Sequence, residues 1–177
     1  QSLCDRIKEN GPLSQADILK IGQDILSAFS YTHEKRILHR NLSSLSIGFD
    51  LRGNAIVKDF AAVKVLDDAK LTHSGELFGN RLYMAPEQLL GQAADERSDL
   101  YLISAVLYEM AIGKRPFDTT SPCDDKTHKF LELEKLNETI DTELAAFIEK
   151  GLGFSADERH QSARAMKEDL AKIARRT

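Results

Sequence analysis

Between Ser98 and Ile112 the chain is apolar almost all the way round, with Leu100, Leu102, Ile103, Val106, Leu107, Met110 and Ile112 covering every angle a helix offers. A helix without a polar face must be buried on all sides, so other elements have to surround it. Gly113 and Pro116 stop it, the first as a left-handed cap and the second as a residue that cannot continue a helix. The central element is thereby identified, and its neighbours should be amphipathic.

Those neighbours are legible. Gly11-Pro12 divides a short helix, about 2 to 9, from a long one entered at Ser14, with Asp17 three residues on in the spacing of a capping box. Ile18, Ile21, Ile25 and Phe29 give the long helix one apolar face, running to about His33. Ile47 and Phe49, a polar turn from Asp50 to Asn54 containing Gly53, and then Ile56 and Val57 predict a short hairpin. From Ala61 to Met84 the periodicity fails, and Thr72, Ser74, Gly75 and Gly79 mark an exposed loop. Further helices are expected at about 126–136, 142–152 and 162–174. The expected fold class is mainly α: one domain over residues 1–177, helices bundled around a buried central helix, with one small β-hairpin.

A net charge of -4 with scattered cations offers no footprint for nucleic acid. No apolar run approaches the roughly 18 residues of a membrane span. Cys4 and Cys123 stand far apart and outside any metal-ligand spacing, which predicts free thiols in a reducing, cytoplasmic setting. Gln1-Ser2-Leu3 has neither an initiator Met nor a signal-peptide pattern, so the start reads as internal.

Five segments carry motifs, in this order: His39-Arg40-Asn41-Leu42-Ser43-Ser44-Leu45-Ser46; Val57-Lys58-Asp59-Phe60-Ala61; Gly79 to Gln88, which contains Tyr83-Met84-Ala85-Pro86-Glu87; Arg97-Ser98-Asp99 with the helix through Leu107-Tyr108-Glu109-Met110; and Asp157-Glu158-Arg159-His160. Together they resemble the C-terminal lobe of the eukaryotic-type serine/threonine protein kinase family in a bacterial-like form, and they cover nearly the whole chain. In that family the first segment reads H-R-D-L-x-x-x-N, the second D-F-G, and the third ends in A-P-E.

The resemblance implies a division of roles. His39, Phe60 and Asp99 correspond to a column tying the catalytic loop, the magnesium loop and the central helix together. Glu87 and Arg159 correspond to a buried ion pair anchoring the activation segment. Arg40 corresponds to an Arg that meets a phosphate, with Thr72 and Ser74 as candidate phosphorylation positions; bonding to local carbonyls is the plainer role for it. Asp59 is a vestigial metal-binding position. Asn41 stands where the family has its general base, Ser43 where it has a phosphate-facing Lys, and Ser46 where it has a metal-binding Asn. Asn80 replaces a Thr that bonds to the catalytic loop, Ala61 replaces the Gly of D-F-G, and Gly48 removes a side chain from beneath the adenine ring.

The expectation is therefore a chain that is not an enzyme: a pseudokinase large lobe acting as a protein-binding, scaffolding or regulatory module. Its expected partners are proteins, with no cofactor and no metal. No Gly-rich loop or V-A-I-K strand precedes residue 1, so the small lobe is expected to be absent and the bare face to self-associate. Two alternatives stand beside this reading. One is a divergent serine/threonine protein kinase whose small lobe lies outside these residues, and the other is a regulatory domain of a larger bacterial signalling protein.

Overall fold

The computed structural model describes residues 1–60, 81–116 and 139–176. Helix α1 (Leu3–Asn10) opens at a reciprocal capping box, with the Ser2 hydroxyl accepting from the Asp5 amide and the Asp5 carboxylate accepting from the Ser2 amide. It ends at Gly11, whose φ of 75° suits a residue without a Cβ. Helix α2 (Gln15–Glu34) is capped by Ser14, but only half of the expected box forms. The Asp17 carboxylate accepts from the Ser14 hydroxyl and pairs with Arg6 at 2.9 Å instead, which joins α1 to α2.

Strands β1 (Ile47–Phe49) and β2 (Ala55–Val57) pair antiparallel with Gly48 opposite Ile56. The Asp50 carboxylate closes their turn by accepting from the Arg52 and Asn54 amides at 2.8 Å, with Gly53 at φ 79°. Asp24 on α2 accepts from the Ala55 amide at 2.9 Å and so fixes the hairpin to the long helix.

A short helix that the sequence did not announce, α3 (Pro86–Leu89), precedes the central helix α4 (Glu96–Ile112). Asp95 caps α4 and Gly113 ends it in the left-handed region at φ 76°. Every residue of α4 from Ser98 to Ala111 is buried, as its unbroken apolar circumference requires. Helix α5 (Thr142–Gly151), capped by Asp141, packs on α4, and helix α6 (Ala163–Ala174), capped by Ser162, packs along α2.

Two glycines sit at close helix contacts. A Cβ on Gly22 would sit 2.8 Å from Leu170 Cδ2, so α2 and α6 meet where α2 is thinnest. A Cβ on Gly151 would overlap the Ser104 side chain, so α5 crosses α4 nearly backbone to side chain. Among the described residues the mainly helical plan with one hairpin holds, with α4 beginning two residues before the expected start. The expected helix at about 126–136 lies outside the described residues, as does most of the expected loop. Among the described residues no helix is long and apolar enough to cross a membrane.

Candidate active site

The loop after α2 turns at Arg36 (φ 58°) and runs across the first turn of α4. There Asp99 is fully buried, and its carboxylate accepts from the His39 amide at 2.9 Å and the Arg40 amide at 2.7 Å. His33 Nε2 lies 2.9 Å from the same carboxylate. A buried carboxylate is tolerated only when its lone pairs are filled, and here three donors converge on it. Arg40 sits at φ 60°, a left-handed conformation that costs a non-glycine residue about 1–2 kcal/mol. The Asp99 bonds hold it there.

An aromatic cluster completes this part of the site. The His39 and Phe60 rings meet edge to face at 4.7 Å, and Phe29 packs against Phe60 at 5.4 Å. His39 Nε2 is 2.9 Å from the Lys58 carbonyl, which can only accept, so Nε2 carries the proton. Nδ1 is then left to face the Asn41 amide at 3.4 Å. The structure thus brings together the three residues of the expected column, His39, Phe60 and Asp99.

The chemistry-bearing positions are placed by this frame. Asn41 is exposed at the turn of the loop. Ser43 and Ser46 are buried with their hydroxyl oxygens 3.4 Å apart, so each faces the other. Asp59 is exposed at φ 69°. The space above Gly48 is not empty: a Cβ there would lie 3.1 Å from Lys58 Cε, because the Lys58 stem folds over the glycine. Position 48 itself presents no side chain, and the atoms nearest to it are Cε and the charged Nζ of Lys58, at 3.1 and 3.3 Å from where a Cβ would stand.

The family implies a magnesium ion. The described residues hold no cluster of three or more His, Cys, Asp or Glu side chains, and Asp59 is the carboxylate at these positions. Magnesium is ordinarily held by one or two carboxylates together with substrate phosphates and water. The residues fit a metal carried in on a nucleotide's phosphates, with Asp59 as the protein ligand, and do not fit a cage built by the protein alone.

The segment from Leu82 to Leu90 is fastened to the bundle at three points. Arg159, with its side chain fully buried, makes two parallel bonds of 2.8 Å to the Glu87 carboxylate. Its other donors reach the carbonyls of Gly153 at 2.7 Å and Phe154 at 2.9 Å, and the guanidinium lies 4.9 Å over the Tyr101 ring. Burial alone would raise the Glu87 pKa, but the bonds from Arg159 and Ser98 outweigh it and hold the carboxyl below its usual range.

The other two points were missed by sequence reasoning. The buried Tyr83 hydroxyl donates to Glu109 at 2.6 Å and lies 3.1 Å from the Ser44 hydroxyl. Burial, and then the Glu109 carboxylate, push the Tyr83 pKa up, so the phenol stays protonated and donating. Gln88 Nε2 donates to the Arg40 carbonyl at 2.8 Å. Tyr83, Gln88 and Glu109 all stand in motif segments, but a motif does not say which atoms meet. Ala61, Thr72, Ser74 and Asn80 lie outside the described residues.

The model of the protein kinase domain matches residues 1–171. The chain belongs to the protein kinase family. It is 30% identical over 174 residues to the serine/threonine-protein kinase PrkC of Bacillus subtilis, covering 96% of this chain and 27% of that protein. It is 41% identical over 119 residues to the probable serine/threonine-protein kinase PknB of Bifidobacterium longum, covering 66% of this chain and 17% of that protein. The serine/threonine-protein kinase PknB of Mycobacterium leprae matches at 28% over 177 residues, covering 97% of this chain and 28% of that protein. The chain spans about a quarter of the length of most of the curated relatives it matches.

This kinship corrects one expectation. The expectation of a chain that is not an enzyme rests on Asn41, Ser43 and Ser46 and on the small lobe not seen before residue 1, yet the relatives are named as kinases and the family is one of enzymes. The physical reason the inference overreached lies in the reaction itself. Phosphoryl transfer depends chiefly on positioning and electrostatic stabilisation, so losing a base removes one contribution to the rate rather than the reaction.

Proposed function

We propose that this chain supplies the large lobe of a serine/threonine protein kinase, which seats a hydroxyl-bearing protein segment and directs phosphoryl transfer to it from ATP. The observation that carries this reading is the Asp99 clamp, which holds the His39 and Arg40 amides and with them the frame of the loop that reaches Asn41. An amide at position 41 can orient a substrate hydroxyl through its carbonyl oxygen but takes no proton from it. The missing base lowers the rate by roughly 100- to 10,000-fold. Ser43 and Ser46 offer hydroxyls where a cation and a carboxamide would stand, which leaves Asp59 and the nucleotide's own phosphates to hold the metal.

The test is phosphotransfer from ATP to a protein bearing Ser and Thr. Asn41→Asp should raise the rate by roughly 100-fold or more. Background rates in both the natural form and Asn41→Asp, each folded and assayed together with the small lobe that the reading requires, would overturn it.

A second reading, a protein-docking or regulatory role, draws support from one observation. The Glu87–Arg159 anchor holds the segment Leu82–Leu90 through contacts that involve none of positions 41, 43 and 46. The two roles are compatible, because a kinase also docks its substrate.

A further inference from the structure

Arg40 is held from two sides. Its amide donates to Asp99 on the central helix, and its carbonyl accepts from Gln88 Nε2 at 2.8 Å. Gln88 is the third residue of α3, and its Oε1 accepts from the Ala85 amide at 3.1 Å, so one side chain caps the helix and reaches the loop. Arg40 needs this support: at φ 60° it is in a conformation that relaxes when its bonds are lost, and it sets the direction in which Asn41 leaves the loop.

We propose that Gln88 is a positioning residue for the loop that carries Asn41, coupling the place of the segment Leu82–Leu90 to the geometry at position 41. The carboxamide suits this work because it is donor and acceptor at once. Its oxygen serves the helix cap while its nitrogen serves Arg40, and the plane of the amide fixes the two relative to each other. A shift of α3, when a protein segment docks on it, is then passed to the Arg40 peptide through a single bond. The kinetic arm of the test rests on the phosphotransfer reading, and the structural arm does not.

The experiment separates capping from positioning. Gln88→Glu keeps the acceptor for the Ala85 amide, and Glu is a preferred capping residue there. It removes the donor and sets a carboxylate against the Arg40 carbonyl. Gln88→Met removes both bonds at similar size. Amide hydrogen exchange of the full chain should be about fivefold faster at Asn41 and Leu42 in both variants, the scale of one lost hydrogen bond, with α4 amides unchanged. In the Asn41→Asp background, Gln88→Glu should lower kcat by a similar factor and leave KM for ATP where it was. Exchange at Asn41 that is faster only in Gln88→Met, or in neither variant, overturns the proposal whatever the activity. Faster exchange in both variants, with no phosphotransfer by any form assayed together with the small lobe, upholds the tie and sinks the kinase reading instead.

Discussion

Removing the Glu87 carboxylate is the most demanding test of how the bundle is anchored. The Arg159 side chain has no exposed surface, so its charge cannot turn to water when its partner is lost. In Glu87→Ala the guanidinium keeps the carbonyls of Gly153, Phe154 and Arg97 and the face of Tyr101, but no counter-charge. Two bonds to a charged group at about 1.5–3 kcal/mol each sum to about 3–6 kcal/mol. That range overlaps the about 3–5 kcal/mol observed when one member of a buried pair is removed. With a urea slope of about 2 kcal/mol per molar, a loss of about 4 kcal/mol moves the unfolding midpoint down by about 2 M. Because the folded Glu87 pKa is held below its ordinary value, the pair stabilises the fold above the unfolded carboxyl's pKa. That stabilisation is lost as pH falls through the folded value. The gap between the natural chain and Glu87→Gln should therefore close in acid. Chemical denaturation followed by circular dichroism at neutral and acid pH measures both effects. A midpoint that barely moves, at unchanged slope, refutes the argument that this pair is structurally required.

Three further outcomes are expected. Asp99→Asn leaves at least one of the His39 and Arg40 amides without an acceptor, costing about 1–3 kcal/mol; exchange at both amides should accelerate, and unchanged protection there would argue against the clamp. Gly151→Ala should cost about 1–3 kcal/mol by overpacking against Ser104, with part of the loss recovered in the double variant with Ser104→Gly; equal midpoints for all three chains would contradict the close crossing of α4 and α5. Burial, with Lys150 nearby, holds the His160 imidazole below its ordinary pKa despite the Phe147 carbonyl and Asp169. The neutral ring is thus favoured in the fold, and stability should fall as pH drops from the ordinary His range through the folded value; His160→Gln should flatten that slope, and an identical profile would refute it.

Local order along the chain was readable because it is a matter of neighbours. The cap at Ser14, the turn closed by Asp50 and the stop at Gly113 each involve atoms a few residues apart, and their backbone demands are met by residue type alone. The burial of α4 was readable for a different reason, since a circumference without a polar side admits one location. The half-formed box at Ser14 shows where this logic stops, because Asp17 found a better partner in Arg6 on another helix.

The site depended on distance in space. Asn41, Ser43 and Ser46 could be named from their order, and that order led to too strong a conclusion about activity. That Asp99 grips the Arg40 amide while Gln88 grips its carbonyl is not written in either segment. Nor is the meeting of Tyr83 with Glu109, or the folding of Lys58 over Gly48. Each joins residues between 10 and 59 positions apart, brought together by the packing of helices whose own formation says nothing about them. Hydrogen bonds and contacts of a few ångströms are specified only when both backbones are in place, so chain order names the participants and packing chooses the pairs.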